Sequence, residues 1–394
     1  MFAYGALAVV LALYLSELGL DAAQIGALLT LTLAGDALVS IWLTVHADRI
    51  GRRRTLALGA ALMVLGAVLF ALTGDFAILV VAAVVGVLSP SGNEVGPFLP
   101  VEQAALAEVV PPARRTTLFA WYQLAGALAT AAGSLAAGLL AQTLQATGAS
   151  ELDSYRAVLV GYAGLGAAIG FLAPRVSPAV EPRMPADPSI QRRLGLHRSQ
   201  RVVAELSALF ALDAFAGGFV VQSVVALWFQ LRWDVEPALL GGIFFGANAL
   251  AGLSGLVAAR LAARFGLVRT MVATHLPSNV MLALVPLMPS LPAAIGLLLA
   301  RFAISQMDVP TRQSYTIAVV DPDERSAAAG LTGMARTAGA ALAPALAAPL
   351  VVAPVLRGGL PFVIAGALKI GYDLLLWQRF RALPAPEERR QPAV

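Results

Sequence analysis

Four polar residues in the second half of the chain, Arg301, Ser305, Asp308 and Arg312, interrupt a stretch that is otherwise largely apolar. Their spacing places them on one face of a helix. An arginine can hold an anion and an aspartate can bind and release a proton. The stripe, with Gln306 beside Ser305, therefore predicts a site for a charged solute or for protons. Asp308 and Arg312, four residues apart, can also simply neutralise each other.

The composition places this stripe in a membrane protein. Hydrophobic residues make up 59% of the 394 residues, charged residues make up 13%, and the mean hydropathy is +0.79. These values exclude an ordinary soluble domain. The absence of cysteine excludes disulfides and thiol catalysis. The histidines are too scattered to predict a metal cluster, and no cofactor is expected.

Twelve apolar windows are long enough to cross a bilayer as helices, which needs about 20 residues each. Eight of the windows are free of charged residues and four carry isolated charges. The runs are continuously apolar, which disfavours a transmembrane β-barrel. The windows are residues 3–20, 22–46, 55–73, 76–93, 116–150, 157–174, 214–231, 237–259, 270–300, 292–319, 337–356 and 360–378.

The basic residues predict the orientation of these helices. With both termini in the cytoplasm, the inner loops and tail hold 20 of the 27 basic residues and the outer loops hold Arg156, Arg232 and Arg357. This asymmetry is typical of the positive-inside rule, and we expect a multi-pass protein of the inner, cytoplasmic membrane. Because the charge is spread along one membrane face, nucleic acid is not an expected partner despite an isoelectric point near 9.7.

A second candidate site lies in the sequence SPSGNEVGPFLPVEQ, residues 89–103. Its glycines and prolines interrupt helix four near mid-membrane, where irregular backbone is tolerated only beside a cavity or another protein segment. Asn93 and Glu94 lie in this interruption. Glu94 is the first candidate for carrying a proton, because burial favours the neutral form of a carboxyl group. A salt bridge between Glu94 and an arginine such as Arg301 is the alternative.

Several other ionisable residues lie in the apolar windows, where such groups are costly and therefore functional candidates. Asp36 of helix two and Asp213 of helix seven are candidates for proton coupling. Tyr14 and Glu17 of helix one are candidates for solute binding, although Glu17 lies near the outer end and can be solvated there. Arg336 of helix eleven can pair with a carboxylate across a bundle interface.

The two halves of the chain resemble each other after a shift of 210 residues, so that helices four and five are echoed by helices ten and eleven. Between the halves, five prolines and six arginines in residues 174–201 are typical of a solvated linker. We therefore expect one bundle in residues 1–173, a cytoplasmic linker in 174–201, and a second bundle with a short tail in 202–394. The matching pairs are Pro100 and Pro310, Gln103 and Gln313, Val110 and Val320, Pro112 and Pro322, and Arg115 and Arg325.

The sequence HADRIGRRR, residues 46–54, resembles the loop Gly-x-x-x-Asp-Arg-x-Gly-Arg-Arg between helices two and three of the major facilitator superfamily. Thr44 stands in place of the leading glycine. The segment of residues 100–115 is similar to the family's end of helix four. The resemblance implies an all-α membrane protein with twelve transmembrane helices in two pseudo-symmetric six-helix bundles, in which helices one, four, seven and ten line a central cavity. The matching loop residues are Asp48, Arg49, Gly51, Arg52 and Arg53.

The resemblance also implies a conformational latch formed by Asp48, Arg49, Gly51 and Arg52. In it, the acid faces the start of helix eleven, near residues 326–330, because a helix N-terminus carries about half a positive charge. The alternative is that the loop arginines only anchor the topology.

Helix five contains small residues at every fourth position, Gly126, Thr130, Ser134 and Gly138, a pattern that predicts close packing against another helix. Exporters of the resembled family often have a Gly-Pro-x-x-Gly-Gly signature at this place. The corresponding GSLAAG lacks the proline, so the direction of transport stays open.

Together these features predict a secondary transporter that works by alternating access and exports a small organic solute by coupling to protons, as a monomer. Glu94 and Asp308 would exchange protons, and Arg301 and Arg312 would hold an anionic part of the solute. A phosphate-binding loop needs a Gly-Lys-Ser/Thr sequence. The only lysine is Lys369, within an apolar window, so an ion gradient is the expected energy source.

The sequence is also compatible with three alternative functions. The arginines of helix ten favour an importer of organic anions. A membrane enzyme has its only support in Ser254 and His275, since GLSG resembles the Gly-x-Ser-Gly of intramembrane serine proteases. A scaffold or lipid scramblase is also compatible with the sequence.

The latch predicts that Asp48→Asn abolishes transport while the protein still inserts and folds, because the neutral amide cannot interact strongly with a helix N-terminus. Solute flux into liposomes, compared at equal amounts of folded protein, measures the effect. Undiminished flux in this variant would contradict the latch.

Overall fold

A computed structural model describes residues 1–92, 98–110, 112–181, 196, 198–321 and 324–381. Within these ranges the regular structure is helical throughout, without a β-strand. The predicted all-α class is therefore confirmed. The helices of the first half are α1 (Phe2–Glu17), α2 (Ala22–Ile50), α3 (Arg52–Leu72), α4 (Phe76–Val85), α5 (Phe98–Val109), α6 (Pro112–Ala146) and α7 (Glu151–Leu172).

The second half contains more broken helices than the first. Its helices are α8 (Gln200–Gly218), α9 (Gln222–Trp233), α10 (Pro237–Phe265), α11 (Leu267–Leu284), α12 (Leu291–Ser305), α13 (Asp308–Ala318), α14 (Arg325–Leu342), α15 (Pro344–Val352) and α16 (Leu360–Phe380). Ten segments of the described chain are long and apolar enough to cross a membrane, and Phe2–Glu17 and Phe76–Val85 are shorter apolar helices. This pattern is consistent with the twelve predicted spans.

Four predicted spans are each divided into two helices. The interruption predicted for helix four is confirmed, because α4 ends at Val85 and α5 begins at Phe98. Pro344 starts α15, where its missing N–H cannot continue α14. Helix ten is interrupted at Gln306 and Met307, so the polar stripe does not lie on one continuous helix as the spacing predicted. Arg301 and Ser305 belong to α12, whereas Asp308 and Arg312 belong to α13.

The chain forms two compact units. The first consists of Met1–Gln191, Val221–Phe245 and Pro344–Pro349, and the second consists of Arg192–Val220, Gly246–Ala343 and Leu350–Val394. Thus two short segments from the second half of the sequence pack with the first unit. The domain boundaries drawn from the sequence stay a prediction.

In the first unit, helix α1 is enclosed by other helices. Every residue from Ala3 to Leu15 is buried, and α6, α7 and α9 pack around the helix. A helix that is apolar on all sides is typical of such a buried position or of a membrane span. The hydroxyl of Tyr14 donates a hydrogen bond to the carbonyl oxygen of Phe70 at 2.5 Å, which satisfies this buried polar group.

The predicted small-residue seam of helix five packs as expected. The hydroxyl of Ser134 donates to the carbonyl oxygen of Gly5 at 3.1 Å, and a Cβ atom at Gly5 would lie 2.1 Å from the carbonyl oxygen of Thr130. At the other end of the seam, a Cβ atom at Gly138 would lie 2.2 Å from the carbonyl oxygen of Pro237. Small side chains therefore let α6 approach α1 and α10 at backbone contact.

In the second unit, α8 packs against α14 and α16, and α11 packs against α12, α13 and α16. The contact between α8 and α14 is close, since a Cβ atom at Gly339 would lie 2.4 Å from the carbonyl oxygen of Ala211. An aromatic core of Phe210, Tyr315, Tyr372 and Phe380 lies among these helices. This packing brings the polar positions of five helices together.

We predict that Gly138→Ala lowers the thermal unfolding midpoint of the purified protein, because overpacking of this kind costs about 1–3 kcal/mol. Gly161→Ala on α7 is the matched control, since a Cβ atom there meets nothing within 4 Å. Its midpoint should stay the same or rise. Equal midpoints for the two variants would contradict the close contact at Gly138.

Candidate functional site: a buried ion network in the second unit

The carboxylate of Asp213 on α8 lies at the centre of the site. Its Oδ1 atom accepts from Nζ of Lys369 on α16 at 2.5 Å. Its Oδ2 atom accepts from Nη1 of Arg312 on α13 at 3.2 Å and from Nη1 of Arg336 on α14 at 3.4 Å. Asp213 is only 4% exposed, so one buried anion holds cations from three other helices.

Arg312 joins this centre to a second carboxylate. Its Nη1 atom donates to Oδ2 of Asp308, one turn earlier on α13, at 2.9 Å. Its guanidinium also lies over the ring of Phe210, 5.4 Å from the ring centre, a distance at which a cation and an aromatic face attract each other. Asp308 and Arg312 therefore neutralise each other, as their spacing allowed. Arg312 also neutralises Asp213.

A third carboxylate, Asp373 on α16, is bound by two residues of α11. Its Oδ1 atom lies 2.8 Å from Nδ1 of His275, and its Oδ2 atom accepts from Nδ2 of Asn279 at 2.8 Å. The opposite ring nitrogen of His275, Nε2, faces Oδ1 of Asp213 at 3.8 Å. His275 thus connects the two carboxylates and completes a network that spans five helices.

The charges of this network balance. Its three carboxylates match its three permanent cations if His275 is neutral, so the net charge is zero. An isolated buried charge is very costly, whereas a paired and hydrogen-bonded one is tolerated. The balance explains how so many ionised groups fit inside an apolar bundle. The members are Asp213, Asp308, Asp373, Arg312, Arg336, Lys369 and His275.

Arg301 lies outside this set of ion pairs. Among the described residues no carboxylate oxygen lies within 4.0 Å of its guanidinium, which stacks over the ring of Phe302 at 4.7 Å. Its buried Nε atom has no hydrogen-bond partner, and neither has the hydroxyl of Ser305, a residue only 4% exposed. Arg301 and Ser305 are four residues apart on α12 and therefore lie on the same face of the helix. Together they offer two hydrogen-bond donors that have no acceptor among the described residues.

The start of α3 is bound by the linker. Gly51 adopts φ +97°, a conformation that favours glycine, and ends α2. The carboxylate of Glu181 then accepts from the backbone N–H groups of Arg52 at 2.7 Å and Arg53 at 3.2 Å, as a capping anion does at a helix N-terminus. The buried side chain of Arg52 donates to the carbonyl oxygen of Val180 at 2.8 Å. The loop thus fixes the first residues of the linker to the first unit.

Sequence comparison identifies the protein's relatives. The profile of the Major Facilitator Superfamily matches residues 1–392. The chain belongs to this superfamily.

Individual proteins that are similar to this chain support its assignment to the superfamily. An uncharacterized membrane protein of Saccharomyces cerevisiae, YJR124C, is 28% identical over 98% of this chain and 92% of its own length. A bacterial homolog of the human lysosomal transporter Spinster, in an inward-facing and unoccupied conformation, aligns with a TM-score of 0.73 at 16% identity, covering 100% and 96% of the two chains. A D-xylose-proton symporter aligns with a TM-score of 0.74 at 14% identity, with the same coverage. These structures share the fold with this chain.

The sequence candidates of the superfamily member fall into three groups. Asp213, Asp308 and Arg312 come together in the network, whereas Arg301 lies on α12 outside its ion pairs and Gln306 ends that helix. Arg336 pairs with Asp213 inside the second unit. The pairing of Arg336 across a bundle interface, which the sequence suggested, is not observed among the described residues.

A separate group of candidates lies in the first unit. Tyr14 is bound to Phe70, and Asp36 on α2 accepts from the hydroxyl of Ser40 at 3.4 Å. Glu17 is exposed, as the sequence allowed, at a cavity of about 370 Å³. That cavity is lined by Leu13, Ser16, Glu17, Glu151, Tyr155, Leu227, Gln230, Leu231 and Asp234.

Other candidates lie outside the described residues. Asn93 and Glu94 belong to residues 93–97, and their predicted roles stay predictions. The side chain of Asp48 is likewise outside the description, although its backbone belongs to α2, as does Arg49. The latch therefore also stays a prediction.

Ser254 and His275, the two residues that supported a membrane enzyme, each interact with other groups. The hydroxyl of Ser254 donates to the carbonyl oxygen of Ala251 at 2.9 Å. Both ring nitrogens of His275 face carboxylates. Nucleophilic catalysis needs a hydroxyl within hydrogen-bond reach of its base, and this pair does not have that arrangement.

Sequence reasoning missed His275, Asn279, Lys369 and Asp373 as members of one site. The spacing of these residues is a signal that could have found them. His275 and Asn279 are four residues apart in one apolar span, as are Lys369 and Asp373 in another, and ionisable residues in such spans are functional candidates. The pairing itself was not readable, since Asp213 and Lys369 are 156 residues apart in sequence.

We predict that Asp213→Asn strongly destabilises the protein, by about 3–5 kcal/mol, because it leaves buried cations without their anion. The double variant Asp213→Asn with Lys369→Met restores the charge balance and should recover part of the loss. Thermal unfolding in detergent measures both effects.

The control for this prediction is Asp153→Asn, which removes a solvent-exposed ion pair with Arg156 and should cost less than about 1 kcal/mol. A loss for Asp213→Asn no larger than that of the control would show that the network does not stabilise the second unit.

Proposed function

We propose that this protein is a secondary transporter that couples the movement of a small organic solute to protons by alternating access. The observation that carries the proposal is the buried, charge-balanced network of five helices in the second unit. Such groups are costly inside a membrane and are typical of ion and proton pathways. A network whose members are all paired must change its pairing when it gains one proton.

The solute that this arrangement fits best is a small organic anion carried together with a proton. One added proton gives the balanced network a net positive charge, and a solute anion bound nearby would neutralise that charge. Each binding event therefore makes the other more favourable, as reciprocal coupling requires. Arg301 and Ser305 offer the unsatisfied donors that a carboxylate or phosphate group would accept from.

Proton-driven export is the second candidate mode. The small-residue seam of α6 lies where exporters of the superfamily often have a glycine-rich signature, although its GSLAAG sequence lacks the proline of that signature. In this mode a proton replaces the solute instead of accompanying it. Glu94, Asp36 and Asp308 stay proposed participants in proton transfer in both modes.

For location we propose the inner membrane, with both termini in the cytoplasm and a monomeric protein surrounded by lipid. The asymmetry of basic residues between inner and outer loops supports the orientation.

The function is tested with purified protein in liposomes that contain a pH-sensitive dye. A panel of carboxylates, phosphorylated compounds, neutral sugars and organic cations is added under an imposed pH gradient. We expect an anion to enter together with protons and to accumulate against its own gradient. If no solute of the panel moves with protons in either direction, the proposed function is wrong.

We predict that Arg301→Gln weakens anion transport about 10- to 100-fold, as expected for a lost charge-assisted hydrogen bond of about 1.5–3 kcal/mol. Arg264→Gln is the matched control, because Arg264 also stacks over the phenylalanine that follows it but is exposed at the end of α10. The half-saturating anion concentration measures the effect. Equal values for the two variants would exclude Arg301 from anion binding.

A further inference from the structure

We propose that His275 is the residue that binds the transported proton, at its Nε2 atom, with Asp373 and Asn279 holding the ring. The inference rests on the proposed function and assigns the proton to a residue that neither the sequence pattern nor the superfamily's loop motif indicates.

The contacts of Asp373 determine which ring nitrogen carries hydrogen. An ionised carboxylate only accepts hydrogen bonds. Oδ2 of Asp373 accepts from the amide of Asn279 at 2.8 Å, and Oδ1 lies 2.8 Å from Nδ1 of His275, so Nδ1 donates to the carboxylate. The amide nitrogen of Asn279 also lies 3.1 Å from Nδ1, which is longer than its own hydrogen bond to Asp373. The neutral ring therefore has its lone pair on Nε2. A carboxylate that orients a histidine in this way is a recurring arrangement where imidazole binds a proton or a metal.

The surroundings of Nε2 differ from those of the other titratable groups. Asp213 accepts from Lys369, Arg312 and Arg336 within 3.4 Å, and Asp308 accepts from Arg312 at 2.9 Å, so both carboxylates already have cationic donors. Nε2 of His275 has no hydrogen-bond partner among the described residues, and Oδ1 of Asp213 lies 3.8 Å away. A proton on Nε2 would place the imidazolium between two carboxylates. A positive charge added at Nε2 therefore faces an anion on each side of the ring.

Protonation at Nε2 has a direct mechanical consequence. The Oδ1 atom that the imidazolium would attract is the one that accepts from Lys369 at 2.5 Å. Competition for this atom weakens the hold of Asp213 on Lys369, and Asp213 also binds Arg312 and Arg336. The proton thus changes the forces between α8 and three other helices. A single protonation event could in this way bias the packing of the whole second unit.

His275 is enclosed by charged and aromatic groups from every helix near it. Its exposed fraction is 5%, and the centres of the His275 and Tyr372 rings lie 5.8 Å apart in an edge-to-face arrangement. Proton exchange with water therefore requires the surrounding helices to separate, as alternating access provides. The titratable groups at the ring are Asp213 on α8, and Tyr372 and Asp373 on α16. The further titratable and charged groups of the network and its surroundings are Arg301 on α12, Asp308, Arg312 and Tyr315 on α13, Arg336 on α14, and Lys369 on α16.

The first test replaces the imidazole by an amide. His275→Gln can keep a hydrogen bond to Asp373 but cannot gain a proton. In liposomes with a solute that the native protein couples to protons, we expect solute-dependent proton uptake to fall to the level of protein-free vesicles, and anion binding to lose its dependence on pH between about pH 5 and 8. The control is His46→Gln, a partly exposed histidine of α2 stacked on Trp42, which should keep the native pH profile.

The two proposals fail in different ways. If native protein shows no proton movement with any solute, the proposed function fails. If native protein couples and His275→Gln couples equally well, the function stands and the role of His275 is overturned.

A second test leaves His275 in place and does not depend on a solute. The chain contains three histidines, so His46→Gln with His197→Gln leaves His275 as the only one. Nuclear magnetic resonance of this protein with labelled histidine should show hydrogen on Nδ1 at high pH and on both nitrogens after acidification. A ring that keeps one tautomer down to about pH 5, or one protonated on Nε2 alone at high pH, would refute the assignment.

Discussion

The buried carboxylate of Asp213 is the group on which the second unit depends most. Charges are excluded from an apolar interior unless each one is paired, and this single anion binds cations from α13, α14 and α16. The same requirement ties Asp308 to Arg312 and Asp373 to His275 and Asn279. Ion pairing therefore holds the helices together and also makes their packing sensitive to any change in charge.

Different interactions stabilise the interior of each unit. In the first unit, small residues of α6 allow backbone contact with α1 and α10, and α1 is buried on all sides. Dispersion and close packing dominate there, which suits a rigid body. In the second unit a polar network lies inside the bundle beside an aromatic core. A packing that depends on paired charges can respond to a proton, whereas one that depends on methyl and methylene contacts cannot.

Breaks in the helices give the network its geometry. Because helix ten is interrupted at Gln306 and Met307, the two halves of the polar stripe have different surroundings. Asp308 and Arg312 are used inside the network, while Arg301 and Ser305 keep unsatisfied donors. The interruption therefore separates a charge-balanced part of the site from a part whose hydrogen-bond donors are unsatisfied.

The sequence by itself determined the membrane location of the helices, the superfamily and several members of the site. Long apolar windows, the loop at Asp48 and the charges at Asp213, Asp308 and Arg312 are local features, and each carries its own physical cost or preference. Only the tertiary structure decided which charges are partners. Spacing along one helix fixes which residues share a face, but the helix opposite that face depends on the packing of the whole bundle. That is why Lys369 and Asp373, far from Asp213 and His275 in sequence, became visible as members of one network only in three dimensions.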